Sequence, residues 1–298
     1  MVNRLKSIEA GDLQIAYQES GPVNGEPVIL LHGFPYDIHC FDEVVATLSD
    51  KNLRCIVPFL RGYGPTSFLS PHTLRSGQQA ALGADLLALM DALALPTAVL
   101  GGFDWGGRAA CIVAALWPER VKGLVSGGSS YNIQNIPAAT NPASPDAEYR
   151  HWYQYYFHSE RGRRSLTQDR RALCQFIWKL WSPNWAFTEQ TFEQTAIAFD
   201  NPDFVDVVIH SYRHRFGGVP GDPALDHIET RLARQPVIQV PTIGLHGAAD
   251  QVDPVSSDDR CRNKFGGSYH RKLLSGVGHN IPQEAPQEFS AAVFALLA

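Results

Sequence analysis

Thr97-Ala-Val-Leu-Gly-Gly-Phe-Asp104-Trp-Gly-Gly-Arg108-Ala-Ala-Cys-Ile-Val-Ala-Ala-Leu-Trp117 holds a short apolar run, a glycine-rich turn and an alanine-rich segment. The run reads as a strand buried on both faces, and the segment after the turn as a helix. Between them, Gly102-Phe-Asp104-Trp-Gly106 has the spacing of the G-x-S-x-G turn, a sharp strand-to-helix corner that presents a nucleophile. Aspartate stands in the serine position. Serine suits acyl transfer, whereas a carboxylate suits displacement at an sp³ carbon and leaves an alkyl ester behind. Taken alone, the turn also fits an aspartate that only caps a helix.

Outward from this turn, strand and helix patterns alternate. Residues 5–19 fit an antiparallel pair, and Pro27–His32, Leu53–Pro58 and Val121–Ser126 read as strands. Leucine and alanine recur at helical spacing from Gly77 to Ala94. From about Tyr131 to Gln235 the chain is rich in aromatics and arginine, with helical patterns and no convincing strand. Strands resume at Val240–His246 and Tyr269–Leu274, and a helix from Pro286 to Ala298 closes the chain. This order predicts an α/β fold with a mostly parallel central sheet flanked by helices. Residues 1–130 and 238–298 would form the core, and 131–237 a helical cap over the strand ends, where ligands bind in open α/β sheets.

Other strand ends carry chemistry on the same edge. Asp250 follows the strand that ends at His246, and a carboxylate there can orient a histidine and stabilise its imidazolium. Asp253 competes for that role, but it precedes Pro254 and looks like turn chemistry. His279, in Gly276-Val-Gly-His279-Asn280, follows the last strand. The order nucleophile, acid, histidine is a known triad order. At the end of an early strand, His32-Gly33-Phe34-Pro35 places the Phe34 amide to donate into an oxyanion hole, with the Trp105 amide as second donor. His32 itself reads as a residue that stabilises the turn.

Bulk properties exclude several classes. A hydrophobic content of 44% with 18% charged residues is that of a globular chain. A formal net charge of −5 argues against a nucleic-acid-binding face. The arginines at 161, 163, 164, 170 and 171 read as a solvated helix face. Five scattered cysteines show neither disulfide nor metal spacing. No metal or other cofactor is expected. With no signal-like start and no run long enough to span a bilayer, a cytoplasmic protein is expected; a homodimer is left open.

These residues together resemble the α/β-hydrolase superfamily over almost the whole chain, and most of all its epoxide hydrolases. Asp104-Trp105-Gly106-Gly107 and His32-Gly33-Phe34-Pro35 are similar to the motifs of that branch. Pro58-Phe-Leu-Arg-Gly-Tyr-Gly-Pro-Thr-Ser67 looks like the family's loop after its fourth strand. The resemblance implies two cap tyrosines that grip the epoxide oxygen. Tyr153, in Tyr153-Gln-Tyr-Tyr-Phe157, is similar to the first tyrosine motif, and Tyr212, in His210-Ser-Tyr212-Arg-His, to the second. Tyr149, Tyr155 and Tyr156 crowd the first match.

The reading that follows is hydrolysis of an epoxide to a vicinal diol through an ester on Asp104. Asp104, His279, Asp250, Tyr153 and Tyr212 would be catalytic, and Phe34, Trp105 and Trp152 would contact substrate. The tryptophans and phenylalanines of the cap suggest an apolar or aromatic substrate. Haloalkane and haloacetate dehalogenases share the Asp-His-Asp set and are the alternative. Haloalkane dehalogenases usually have asparagine where Phe34 sits. Haloacetate dehalogenases place a His-Trp pair in the cap, to which His151-Trp152 is a near match. They also carry arginines just after the nucleophile; Arg108 fits, but Trp105 directly after Asp104 departs from that pattern. A non-catalytic ligand-binding homologue is a more remote option, and cofactor-free oxygenases on this scaffold are another.

Overall fold

The structure, a computed structural model, describes residues 5–256 and 258–298. Residues 1–4, where a leader would start, lie outside the described residues. The strands are β1 (Lys6–Ala10), β2 (Leu13–Ser20), β3 (Glu26–Leu31), β4 (Leu53–Pro58), β5 (Ser67–Phe68), β6 (Ala98–Phe103), β7 (Val121–Gly127), β8 (Thr242–Gly247) and β9 (Tyr269–Leu274). They form one sheet in the order β1-β2-β4-β3-β6-β7-β8-β9, with the two-residue β5 added on β2. Strands β1, β2 and β5 pair antiparallel, as does β2 with β4, and every pairing from β4 to β9 is parallel. A strand buried on both faces has no polar side to show. This explains the uninterrupted Ala-Val-Leu-Gly-Gly-Phe of β6, in which every residue is buried. The short β5 had no signature in the sequence.

Helices Gln79–Ala92 and Asp104–Leu116 pack together, and the second crosses β6 and β7. The closing helix Pro286–Leu297 lies against β7 and the helix Asp42–Ser49. Between β7 and β8 the chain is helical, from Pro145–Arg150 through Phe204–His214 to Asp226–Leu232. This segment is tied to the core across the sheet's carboxyl edge. The Trp178 indole N–H donates to Pro35 O at 2.8 Å, and the Thr195 hydroxyl donates to Asp37 Oδ1 at 2.9 Å. The loop after β4 is pinned from beneath by Arg61. Its guanidinium makes a two-pronged pair with Asp85 at 2.6 Å and donates to Ser76 O at 2.7 Å. His32 serves the same loop, accepting from Leu60 N–H at 3.1 Å. Burial pushes its pKa down to about 4, so the ring stays neutral there.

The corner at Asp104 is the tightest place in the fold. Asp104 has φ of 49°, a left-handed conformation that costs a non-glycine residue ~1–2 kcal/mol. A Cβ on Gly106 would stand 2.0 Å from the Leu31 carbonyl oxygen. Neither partner can yield, since both are backbone. Gly106→Ala should therefore lower stability by at least about 2 kcal/mol. Urea unfolding of the two proteins checks this, and a loss below about 0.5 kcal/mol would show that the corner is not close-packed.

Candidate active site

The site begins where β6 turns into the helix Asp104–Leu116. Asp104 is the first residue of that helix, where free N–H groups and the helix dipole favour negative charge. Its Oδ1 accepts from the Phe34 N–H at 2.8 Å. Trp105 lies in the first turn, where its own N–H has no carbonyl of the helix to bond. Burial disfavours the Asp104 charge, but His279, Arg108 and the Phe34 amide outweigh it and hold the carboxyl below its ordinary pKa.

Asp250 and His279 come together behind it. His279 Nδ1 lies 2.8 Å from Asp250 Oδ2, which makes Nδ1 the protonated nitrogen facing the carboxylate. The other Asp250 oxygen accepts from the Val252 and Asp253 N–H groups at 2.7 and 3.2 Å. The competitor Asp253 stands instead beside His246, at 3.9 Å. His279 Nε2 faces Asp104 Oδ2 at 3.8 Å, a charge contact too long for a hydrogen bond. That nitrogen is buried with no hydrogen-bond partner. Burial opposes the imidazolium, but Asp250 first, and Asp104 with it, push the His279 pKa up to about 10. The loop carrying the ring is held from the helical segment. Ser182 Oγ accepts from the His279 N–H at 2.9 Å and donates to Glu284 Oε1 at 2.6 Å. Glu284 in turn accepts from the N–H groups of Gly278 at 2.7 Å and Asn280 at 3.0 Å.

Two buried tyrosines stand near these residues: Tyr153 lines the same cavity as Asp104 and His279, and Tyr212 lies behind it. Tyr153 (2% exposed) and Tyr212 (1%) meet edge to face, with ring centroids 5.5 Å apart. The crowding of tyrosines around the first is resolved by burial, since Tyr149 (79%) and Tyr155 (42%) face solvent. Both buried phenols feel the Asp104 charge. Burial, with Asp104 adding to it, pushes Tyr153 up to about 12 and Tyr212 well above its ordinary value, so both stay protonated. The Tyr153 oxygen accepts from Gln154 Nε2 at 3.1 Å, which leaves its own proton free to donate. A cavity of about 330 Å³ reaches Asp104, His279 and Tyr153.

Some expected contacts fall elsewhere. Phe34 and Trp105 are wholly buried in an aromatic layer with Tyr212 rather than in the cavity wall. Trp152 lines a separate depression of about 180 Å³ with Tyr149, Arg150 and Trp181. The aromatic cap residues Trp178, Trp185 and Phe187 pack on one another, with centroids 5.0–5.2 Å apart. They pack in the helical segment itself, and the cavity at Asp104 has a mixed lining in which Tyr131, Ile133, Tyr153 and Val252 stand beside Arg108, Arg215 and Gln134. Trp181 is the aromatic that reaches the triad, 5.0 Å from both the Tyr153 and His279 rings. Arg215 was missed, although its place near Tyr212 puts it one helical turn on. Arg213, next to Tyr212 in the motif, turns away to Phe157 O and Glu160. Among the described residues, no group of three or more His, Cys, Asp or Glu is placed to hold a metal ion. No helix there is long and apolar enough to cross a membrane.

The fold and this corner define the class: residues 26–286 match the α/β hydrolase fold family, and the chain belongs to it. It is a hydrolase. A crystal structure described as a "putative epoxide hydrolase" from Klebsiella pneumoniae is similar over 98% of this chain and 97% of that one, with 48% identity and a TM-score of 0.96. Epoxide hydrolase A of Mycobacterium tuberculosis is 25% identical, covering 97% of this chain and 96% of that protein. Epoxide hydrolase 3 of Siraitia grosvenorii is 36% identical over 136 residues, which span 46% of this chain and 39% of that protein.

The charge arrangement has a direct test. In the free protein the His279 ring should titrate near pH 10. In Asp104→Asn, with one of its two carboxylates gone, it should titrate about one unit or more lower. NMR of the imidazole nitrogens reads both, and equal values would refute the coupling. The raised pKa also sets a sign for stability. The imidazolium stabilises the folded protein fully below the ring's ordinary value of 6.5, and that gain is lost as pH rises through about 10.

Proposed function

We propose that this chain hydrolyses an epoxide to a vicinal diol through an alkyl ester on Asp104, with residues 131–237 as the cap over the site. The observation that carries the reading is what meets at one cavity: a charged carboxylate backed by an Asp–His pair, and the protonated buried Tyr153, whose ring meets that of the equally buried Tyr212 behind it. The names of the relatives agree with it.

Tyr153 and Tyr212 donate to the oxirane oxygen. Asp104 Oδ2 attacks a ring carbon from the far side; the C–O bond of the ring breaks and its electron pair goes to the oxygen, which takes a proton from a tyrosine. Oδ1, already on the Phe34 amide, becomes the carbonyl oxygen of the ester. Ester formation removes the negative charge that faces His279 Nε2. With only Asp250 left to hold its proton, the imidazolium gives it up, and that proton balances the one taken by the ring oxygen. Neutral His279 then takes a proton from water as the water attacks the ester carbonyl carbon. The oxyanion at Oδ1 rests on the amides of Phe34 and Trp105. Collapse frees the diol and restores Asp104.

A dehalogenase would use the same triad on a carbon–halogen bond. One observation speaks for it: Trp105 Nε1 is buried with no partner, a donor that a halide could take. Its ring, however, is not in the cavity wall. Diol and halide release, measured side by side on epoxides and halo acids, separate the two readings.

Two outcomes are expected from variants. His279→Gln should still be alkylated but not released, so mass spectrometry should find a substrate adduct on Asp104. A fully active, unmodified variant would overturn the scheme. Tyr153→Phe and Tyr212→Phe should each slow alkylation by about 10²-fold or more in single-turnover kinetics, while the deacylation of ester already formed changes little. Unchanged alkylation in both would remove the tyrosines from the mechanism.

A further inference from the structure

We propose that the molecule taken by this site carries a carboxylate, bound by Arg108 and Arg215. For the reaction itself this rests on the epoxide hydrolase reading; for the carboxylate it does not. Arg108 lies one helical turn after Asp104, so both side chains project from the same face of the helix into the cavity. It is 7% exposed, and its one hydrogen bond among the described residues runs from Nε to Asn132 O at 3.2 Å. Its Nη1 and Nη2 have no acceptor there.

Arg215 enters from the cap. Its guanidinium lies over the Tyr212 ring, 4.5 Å from the centroid. With the Gln134 side-chain amide turned so that its oxygen faces the guanidinium, the orientation its neighbours require, Nε and Nη2 donate to that oxygen at 2.8 and 3.2 Å. Gln134 is itself fixed: its backbone N–H donates to Gln79 Oε1 at 2.9 Å, and its carbonyl accepts from Gln235 Nε2 at 3.1 Å. The guanidinium is therefore held in place, and only neutral groups hold it.

Several arginines, among them Arg54, Arg61, Arg75, Arg120 and Arg171, are in ion pairs, and others such as Arg170 and Arg231 donate to backbone carbonyls; what sets Arg108 and Arg215 apart is that both face one cavity with no carboxylate paired to either among the described residues. Two cations facing one cavity without a counter-ion repel each other, and after burial it is Arg215 that most lowers the Arg108 pKa, to about 10. The remaining charges do not cancel them. Asp104 and Asp250 share the one His279 imidazolium, which leaves a single negative charge against the two guanidiniums. Asp253, also at the wall, has its pKa raised by burial. His151 is pushed towards the neutral form by burial and by Arg215. A planar anion with two acceptor oxygens fits the unused N–H groups of such a pair. A volume of about 330 Å³ sits at the small end for ligand sites, which points to a short-chain acid.

A rival role is that the arginines only make the tyrosines better acids, since Arg215 lowers the pKa of both phenols. Matched ligands separate the two. Oxirane-2-carboxylate and its uncharged amide have the same ring. Calorimetry on Asp104→Asn, which cannot form the ester, should show the acid binding about 10- to 100-fold more tightly than the amide. Arg108→Met and Arg215→Met in that background should remove most of the preference, and Arg→Lys should keep part of it. With Asp104 intact, diol formation by the Met variants should show KM for the acid raised at least about tenfold beyond any change in KM for the amide. Thermal melts with a cooperative transition show that each variant is folded; should Arg108→Met not fold, Arg215→Met carries the test. Equal binding of acid and amide, or a preference that survives both Met variants, overturns the inference, as do equal losses on acid and amide. If the acid is preferred and lost with the arginines, yet no epoxide gives diol, the carboxylate assignment stands and the epoxide reading falls.

Discussion

The close approach of Gly106 to the Leu31 carbonyl sets the geometry of everything else in the site. It lets the helix after β6 start against the end of β3, which forces Asp104 into a left-handed conformation. That conformation is unfavourable for aspartate and persists because the backbone on both sides is locked. Its result is a carboxylate pointing off the sheet, with Oδ1 on the Phe34 amide and Oδ2 towards the histidine. Gly33 contributes in the same way: a Cβ there would sit 2.5 Å from the Asp104 Cβ. β3 and β6 are hydrogen-bonded neighbours, so the pairing of two strands brings an amide to a nucleophile.

Electrostatics then divides the labour. Asp250, His279 and Asp104 form an alternating line of charge inside a buried region, and each end of the line steadies the middle. In the proposed reaction this makes His279 a base that is occupied in the resting state and is freed when Asp104 loses its charge. The buried tyrosines face the opposite demand. They must stay protonated beside a carboxylate, and burial together with Asp104 ensures that they do.

Much of this was legible before any coordinates. Strand β6 could be read because a strand buried on both faces is apolar throughout; β9 also falls where its pattern places it, but as an edge strand with His270, Lys272 and Leu273 exposed. The Asp104 turn could be read because glycine spacing encodes a close approach. Asp250 and Asp253 could be ranked by distance from a strand end, and the hydrogen bond to His279 agrees with that order. The cap was harder. Aromatic residues at helical spacing look alike whether they line a pocket or pack on each other, so Trp152 and Trp178 could not be told from Trp181 by sequence. Arg215 was hidden for another reason. Whether an arginine has a carboxylate partner depends on contacts far apart in the chain, and Arg213, two residues earlier, finds one.

Ser182 joins the cap to the histidine loop through a single oxygen that accepts from His279 N–H and donates to Glu284. Three residues after it and four before it, Trp185 and Trp178 pack together, and the Trp178 N–H ties the helix end to the Pro35 carbonyl. If this part of the helical segment moved away, the backbone N–H of His279 would lose its acceptor and Glu284 one of its three donors. In the proposed reaction the serine would thus act as a mechanical interlock, tying the proton-taking step to a shut door.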